Sequence, residues 1–131
     1  MCKFFKKRLL SLKNAFTGWL YVIRTQQNAW IHAIATVMAV AVGIWIRLSA
    51  RDWALIIFVI AMVWAAEFLN TAIEINVDLA SPDLHPLARV GKDVGAAAVL
   101  IAALSSVIIG ILVMGRPFYE KIRYLWMLLG I

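Results

Sequence analysis

Long apolar segments dominate the hydrophobic pattern of this 131-residue chain. The runs 31–46, 53–66 and 94–114 contain no Asp, Glu, Lys or Arg. None of them shows the period-two alternation of a half-buried strand. A helix needs about 20 predominantly apolar residues to cross a hydrocarbon core of ~30 Å. With their boundary residues included, these runs predict three membrane-spanning helices at 29–48, 53–78 and 94–114.

The first 28 residues have a different pattern, in which basic residues are interspersed with large apolar residues. Within 4–27 the apolar residues recur at spacings near three and four. This spacing is typical of an amphipathic helix that lies in the headgroup region with its lysines towards anionic lipid. The alternative is a helix packed on the membrane bundle. Both interpretations place a helix at 1–28 on the cytoplasmic surface.

Composition and charge favour a membrane protein over a soluble one. The chain is 64% hydrophobic and only 15% charged, and its net charge is +6. The basic residues flank the apolar runs, so they indicate membrane topology and argue against nucleic-acid binding. With the N-terminus inside, eight basic residues are cytoplasmic and five are outside. The positive-inside rule therefore predicts a cytoplasmic N-terminus.

Prolines divide the rest of the chain. Pro82 and Pro86 predict a turn between the second and third spans, within a cytoplasmic connection at 79–93. Pro117 predicts that the helix stops and restarts as an interfacial tail at 116–131 on the outer face. The predicted fold is a single all-α membrane domain of three transmembrane helices with an N-terminal surface helix.

A polar stripe runs along the second span. Glu67, Asn70, Glu74 and Asp78 are separated by three, four and four residues, which places them near one face of a helix. If this span enters the outer interface at Trp53, Glu67 lies about 21 Å inward and Asp78 about 37 Å inward. The stripe therefore crosses the inner boundary of a ~30 Å core.

The chemistry of this region favours phosphoryl transfer. A buried carboxylate is costly in hydrocarbon, so Glu67 must face protein, water or a ligand. As the most deeply placed carboxylate it is the best candidate for a base, while Glu74, nearer to water, suits Mg²⁺. Lys92 and Asp93 stand where the third span begins, and a lysine there can neutralise phosphate charge.

Three other interpretations remain open from these residues. The stripe could simply pair helices, with Glu67 bonded to a neighbouring span. A small proton-coupled transporter could use Glu67 as its proton carrier, although such a carboxylate is expected near the midplane. A lipid phosphatase is disfavoured because the chain has no cluster of His and Arg suited to a phosphoenzyme.

The longer motif resembles a known family. The run 67–74 (EFLNTAIE) with Asp78, the turn 81–88 (SPDLHPLA) and the run 92–100 (KDVGAAAVL) are similar to the prokaryotic diacylglycerol kinases, which include the undecaprenol kinases of Gram-positive bacteria. The similarity spans 14–114. It implies a homotrimer in the bacterial inner membrane with ATP and Mg²⁺. It also implies phosphorylation of a lipid alcohol in phospholipid or lipid-carrier recycling.

The resemblance also implies roles for single residues. Glu67 would accept the proton of the lipid hydroxyl, and Asn70 would position that hydroxyl. Both residues would therefore contact the lipid. Glu74 would ligate the metal and ATP. The other implied ATP-binding residues are Asn14, Gln26, Asp83, Leu84, His85, Lys92 and Asp93.

Two positions depart from the family pattern. Gln26 stands where the family has a second metal-binding glutamate, and its amide oxygen can ligate Mg²⁺ without contributing charge. Asn14 stands where some members have a tyrosine that contacts the nucleotide. The stretch 85–88 looks more like the undecaprenol kinase branch, but the sequence does not decide between diacylglycerol and undecaprenol.

Overall fold

A computed structural model describes residues 2–81 and 85–129. These residues form four helices, α1 (Cys2–Thr25), α2 (Gln27–Trp45), α3 (Ala50–Ala80) and α4 (Pro86–Leu129). Helices α2, α3 and α4 are each long and apolar enough to cross a membrane. The prediction of an all-helical protein with three candidate spans and an N-terminal helix is confirmed.

Helix α3 lies at the centre of the fold. It packs most extensively against α4 and also contacts α2 and α1. Glu67, Asn70 and Thr71 are buried on α3, whereas many large apolar side chains, such as Leu100 and Ile111, are exposed. This distribution is the reverse of that in a water-soluble globule and suits a helix bundle surrounded by lipid.

Helix α2 is shorter than the span predicted at 29–48 because it ends at Trp45. Arg47 adopts a positive φ of 58°. The N–H of Leu48 donates to the carbonyl of Gly43 at 3.1 Å, which closes the helix end with the hydrogen bond of a Schellman motif. The chain therefore turns three residues earlier than the hydrophobic pattern predicts.

Helix α3 begins earlier than the span predicted at 53–78. The Ser49 hydroxyl accepts a hydrogen bond from the backbone N–H of Asp52 at 3.2 Å. This N-cap satisfies one of the free donors of the first turn and lets the helix begin at Ala50.

The connection between α3 and α4 is shorter than the predicted 79–93. Helix α3 continues to Ala80, and α4 begins at Pro86, where a proline is well tolerated because the first helical N–H needs no partner within the helix. The His85 ring supports this start, since its Nδ1 accepts the N–H of Leu87 at 3.2 Å.

Helix α4 continues through Pro117, so the predicted restart of the chain at this residue does not occur. Contacts on both sides of the proline explain the continuity. The Arg116 guanidinium donates to the Glu120 carboxylate at 2.8 Å. The Phe118 ring packs edge-on against Trp45 of α2, with the ring centres 5.7 Å apart. Side-chain contacts thus offset the backbone hydrogen bond that a proline removes.

Candidate functional site

The polar stripe on α3 passes from a buried to an exposed environment. Glu67 is 1% exposed and Asn70 is 6% exposed. Glu74 is partly buried, and Asp78 near the end of the helix is exposed. The exposure of these side chains therefore increases along α3 from Glu67 to Asp78.

Glu74 is the centre of a cluster formed by one carboxylate and two amides. Asn70 donates from Nδ2 to Glu74 Oε1 at 2.9 Å, across one turn of α3. Gln26 donates from Nε2 to Glu74 Oε2 at 3.5 Å. Gln26 is the extended residue that separates α1 from α2, with φ −99° and ψ 118°. The break between these helices therefore brings an amide to the α3 carboxylate.

Helix α4 fixes the other side of Asn70. The Oδ1 atom of Asn70 is buried and has no hydrogen-bond partner among the described residues. It lies directly against Gly95, where an added Cβ would overlap it. The missing side chain at Gly95 thus allows α4 to approach the Asn70 amide closely.

Glu67 faces α2, where its neighbour is His32. The distance between Glu67 Oε2 and His32 Nε2 is 3.6 Å. Both atoms are buried and lack a hydrogen-bond partner within the described part of the chain. His32 was not among the site residues predicted from the sequence. It is the single histidine of a helix without charged residues, and this becomes informative only when the α2–α3 register is known.

The cationic residues Lys92 and Arg89, near the start of α4, form two separate ion pairs. Lys92 contacts Asp78 at 2.6 Å across the α3–α4 interface. Asp93 pairs with Arg89 along α4 at 3.9 Å, and both of these side chains are largely exposed. The structure therefore joins Lys92 to the α3 stripe, whereas Asp93 points to a different neighbour.

Among the described residues, Asn14 and His85, which were also predicted to bind ATP, make no hydrogen bond or ion pair with Glu74. Asn14 is exposed on α1, twelve residues before Gln26, which corresponds to about 18 Å along a helix. His85 is exposed at the start of α4. Asp83 and Leu84 lie outside the described residues.

The residues around Glu74 fit a cation that is shared with phosphate. Among the described residues, no group of three His, Cys, Asp or Glu side chains could hold a metal ion. Glu74 supplies one carboxylate and Gln26 can supply an amide oxygen, whereas Asn70 Oδ1 lies against Gly95 on the α4 side. Mg²⁺ is often held by one or two carboxylates together with substrate phosphates, so this donor set suits it when a nucleotide provides the other oxygens.

An apolar groove of about 530 Å³ lies between α3 and α4. Asn70 and Gly95 line its end near the polar stripe, while Phe58 and Ile109 line the opposite end. The groove therefore extends from the candidate site into the apolar part of the two spans.

Comparisons with known proteins find a family model and several relatives that match most of this chain. The model of the family "Prokaryotic diacylglycerol kinase" matches residues 13–114. An undecaprenol kinase of Bacillus subtilis (strain 168) is 39% identical over 85% of this chain and 87% of its own length. A diacylglycerol kinase of Escherichia coli (strain K12) is 32% identical over 74% of this chain and 91% of its own length. A diacylglycerol kinase of Synechocystis is 37% identical over 78% of this chain and 59% of its own length.

Proposed function

The chain belongs to the prokaryotic diacylglycerol kinase family and is a lipid kinase, and from this we propose that it transfers the γ-phosphate of Mg-ATP to the hydroxyl of a membrane lipid alcohol. The acceptor is diacylglycerol or undecaprenol. The observation that carries this proposal is the order of Glu67, Asn70 and Glu74 on α3, from buried to partly exposed. This order suits a reaction between a lipid and a water-soluble nucleotide.

Glu67 is the base in this proposal. The oxygen of the lipid hydroxyl forms a bond to the γ-phosphorus, the bond from that phosphorus to the bridging oxygen breaks, and ADP leaves. The hydroxyl proton passes to the Glu67 carboxylate. A positioned general base contributes about 10²- to 10⁴-fold to such a step. Glu67 suits this role because it is the carboxylate placed deepest in the stripe, one turn from Asn70, which lines the apolar groove.

Glu74 and its two amide neighbours hold the phosphate end of the nucleotide. Mg²⁺ held there would neutralise the charge of the phosphates. Glu74 would ligate the ion, and a rotation of the Gln26 amide would exchange its Nε2 for Oε1 as a further ligand. Asn70 links the two ends of the site because it donates to Glu74 and lies one turn from Glu67.

Lys92 is the candidate cation for the phosphates. It pairs with Asp78 at 2.6 Å, yet its side chain remains 39% exposed. Binding of a polyphosphate would let the ammonium group exchange Asp78 for a phosphate oxygen. We place Asp93, His85, Asp83, Leu84 and Asn14 on the nucleotide side by the family resemblance.

The apolar groove supports a position for the lipid chain, and the family resemblance supports the assembly. The groove between α3 and α4 is lined almost entirely by apolar side chains and reaches Asn70, which suits the hydrocarbon part of a lipid alcohol. We further propose a homotrimer in the bacterial inner membrane with the N-terminus in the cytoplasm. In this arrangement α1 is the surface helix, α2, α3 and α4 supply the spans, and the part of α4 after Pro117 lies on the outer side.

The test is an assay of the purified protein with ATP labelled at the γ-phosphate, in which diacylglycerol and undecaprenol are offered side by side. The proposal predicts labelled lipid that depends on both ATP and Mg²⁺, and the preferred acceptor identifies the substrate. The transporter alternative predicts proton-driven substrate flux in vesicles without ATP. Labelling of neither lipid under conditions where the protein is folded would contradict the proposal.

A further inference from the structure

We propose that His32 is a positioning residue for Glu67, whose imidazole holds the carboxylate in the orientation that receives the lipid hydroxyl proton. This inference rests on the proposed function, because the orientation of Glu67 matters to turnover only if Glu67 is the base. His32 lies on α2, outside the motif of α3 and α4 that carries the family resemblance.

The contact joins two buried polar atoms that have no other partner. His32 Nε2 and Glu67 Oε2 are 3.6 Å apart, and their side chains are 12% and 1% exposed. Neither atom has a hydrogen bond within the described part of the chain. Buried polar groups are costly when unpaired, and N–H···O bonds form at about 2.7–3.2 Å. A shift of a few tenths of an ångström would therefore pair these atoms with each other.

The neighbours of His32 restrict the position of its ring. The ring packs edge-on against Trp64, with centres 6.3 Å apart and planes at 70°. Trp64 is held in turn, since its Nε1 donates to Thr36 Oγ1 at 3.1 Å. His32 and Thr36 lie one turn apart on α2, and Trp64 and Glu67 lie nearly one turn apart on α3. The imidazole is thus presented to Glu67 from a fixed position.

In this arrangement, the contact that positions Glu67 is separate from a hydrogen bond that pairs α2 with α3. The Trp64–Thr36 hydrogen bond already links α2 to α3 without touching the base. A glutamate side chain has three rotatable bonds, and a donor on one carboxylate oxygen limits them while leaving the other oxygen for the hydroxyl. Misplacement of a reacting group by about 1 Å can cost roughly 100-fold in rate. His32 therefore affects the chemical step through Glu67. Thr36 is linked to Trp64, which also packs against Phe68 with ring centres 6.0 Å apart and is therefore expected to stay in place without this hydrogen bond.

The experiment compares three variants of the full-length protein in the same lipid environment. His32→Leu removes the donor and keeps an apolar side chain, His32→Gln keeps an N–H donor, and Thr36→Val removes the neighbouring interhelix bond. We measure kcat and the KM for ATP in the lipid kinase assay, together with thermal unfolding. We expect His32→Leu to lower kcat by about 100-fold with an unchanged KM for ATP. We expect His32→Gln to recover most of this loss and Thr36→Val to keep kcat near that of the unmodified protein.

Two results would overturn the inference. One is unchanged kcat in folded His32→Leu. The other is an equal loss of kcat in Thr36→Val and both His32 variants, because this would make His32 a packing residue only. If His32→Leu does not fold, the same comparison of kcat is made between His32→Gln and Thr36→Val. An equal loss of kcat in these two variants would again indicate a packing role only. Failure of the proposed function gives a different result, since the unmodified protein would then label no lipid.

Discussion

Substitution of Gly95 by alanine tests how closely α4 must approach the site. A Cβ at this position would overlap Asn70 Oδ1, which is buried against Gly95. The Asn70 side chain would have to move, and the movement would weaken its 2.9 Å hydrogen bond to Glu74. The expected result is a folded protein whose catalytic amide is displaced.

The magnitudes favour a loss of activity over a loss of fold. Alanine is more favourable than glycine in a helix interior by about 1 kcal/mol, whereas overpacking of a tight site costs about 1–3 kcal/mol. The net loss of stability is therefore at most about 2 kcal/mol. Displacement of the Asn70 amide by about 1 Å is expected to lower kcat by roughly 100-fold.

The assay measures kcat for lipid phosphorylation and the thermal unfolding of Gly95→Ala, with Gly91→Ala as the matched control. Gly91 lies one turn earlier on α4, and a Cβ there would meet Val77 at 3.7 Å, an ordinary van der Waals contact. The control is expected to keep full turnover. Unchanged kcat in Gly95→Ala would refute the reasoning, because Asn70 would then have no need of its observed position.

Three further substitutions test separate parts of the site and fold. Lys92→Met should raise the KM for ATP by roughly 10- to 100-fold, which corresponds to the loss of a hydrogen bond to a charged group. Arg89→Met removes an exposed cation one turn away and should leave the KM for ATP unchanged. Equal increases of KM in the two variants would remove Lys92 from the nucleotide site. Gln26→Glu adds a negative charge beside the Glu74 carboxylate. The attraction between this charge and a divalent ion about 4 Å away is on the order of 2 kcal/mol, so the variant should bind Mn²⁺ roughly 30-fold more tightly. Calorimetric titration of nucleotide-free protein with Mn²⁺ measures this affinity, and Gln27→Glu, at an exposed position, is the control. Identical Mn²⁺ affinities in the two variants would count against Gln26 as a ligand position. Ser49→Ala should lower the free energy of unfolding by about 1 kcal/mol without changing kcat, since it removes only the N-cap of α3. An unchanged melting temperature would show that the cap does not stabilise the helix.

Sequence periodicity predicted much of the architecture because its strongest signals are local. Long uncharged apolar runs require helices in lipid, and all three predicted spans lie largely within helices of the structure. The spacing of Glu67, Asn70 and Glu74 is likewise a local signal, and Asn70 and Glu74 are in contact one turn apart on α3.

Features that depend on contacts between distant segments could not be predicted in this way. Pro117 has the local signature of a helix break, but Trp45 from another helix packs against the neighbouring Phe118 and the helix continues. His32 gave no sign of its relation to Glu67, because that relation depends on the register of α2 against α3. In both cases tertiary packing overrides or supplements the local pattern.

The most direct test of the central claim is the turnover of Glu67→Gln. The amide keeps the size of the side chain but cannot accept the hydroxyl proton as a carboxylate does. The measurement is transfer of labelled γ-phosphate from Mg-ATP to extracted lipid, with purified variant and unmodified protein at equal amounts. We predict that turnover falls by about 10²- to 10⁴-fold while the KM for ATP is retained. Turnover of Glu67→Gln within a few-fold of the unmodified protein would contradict the assignment of Glu67 as the base.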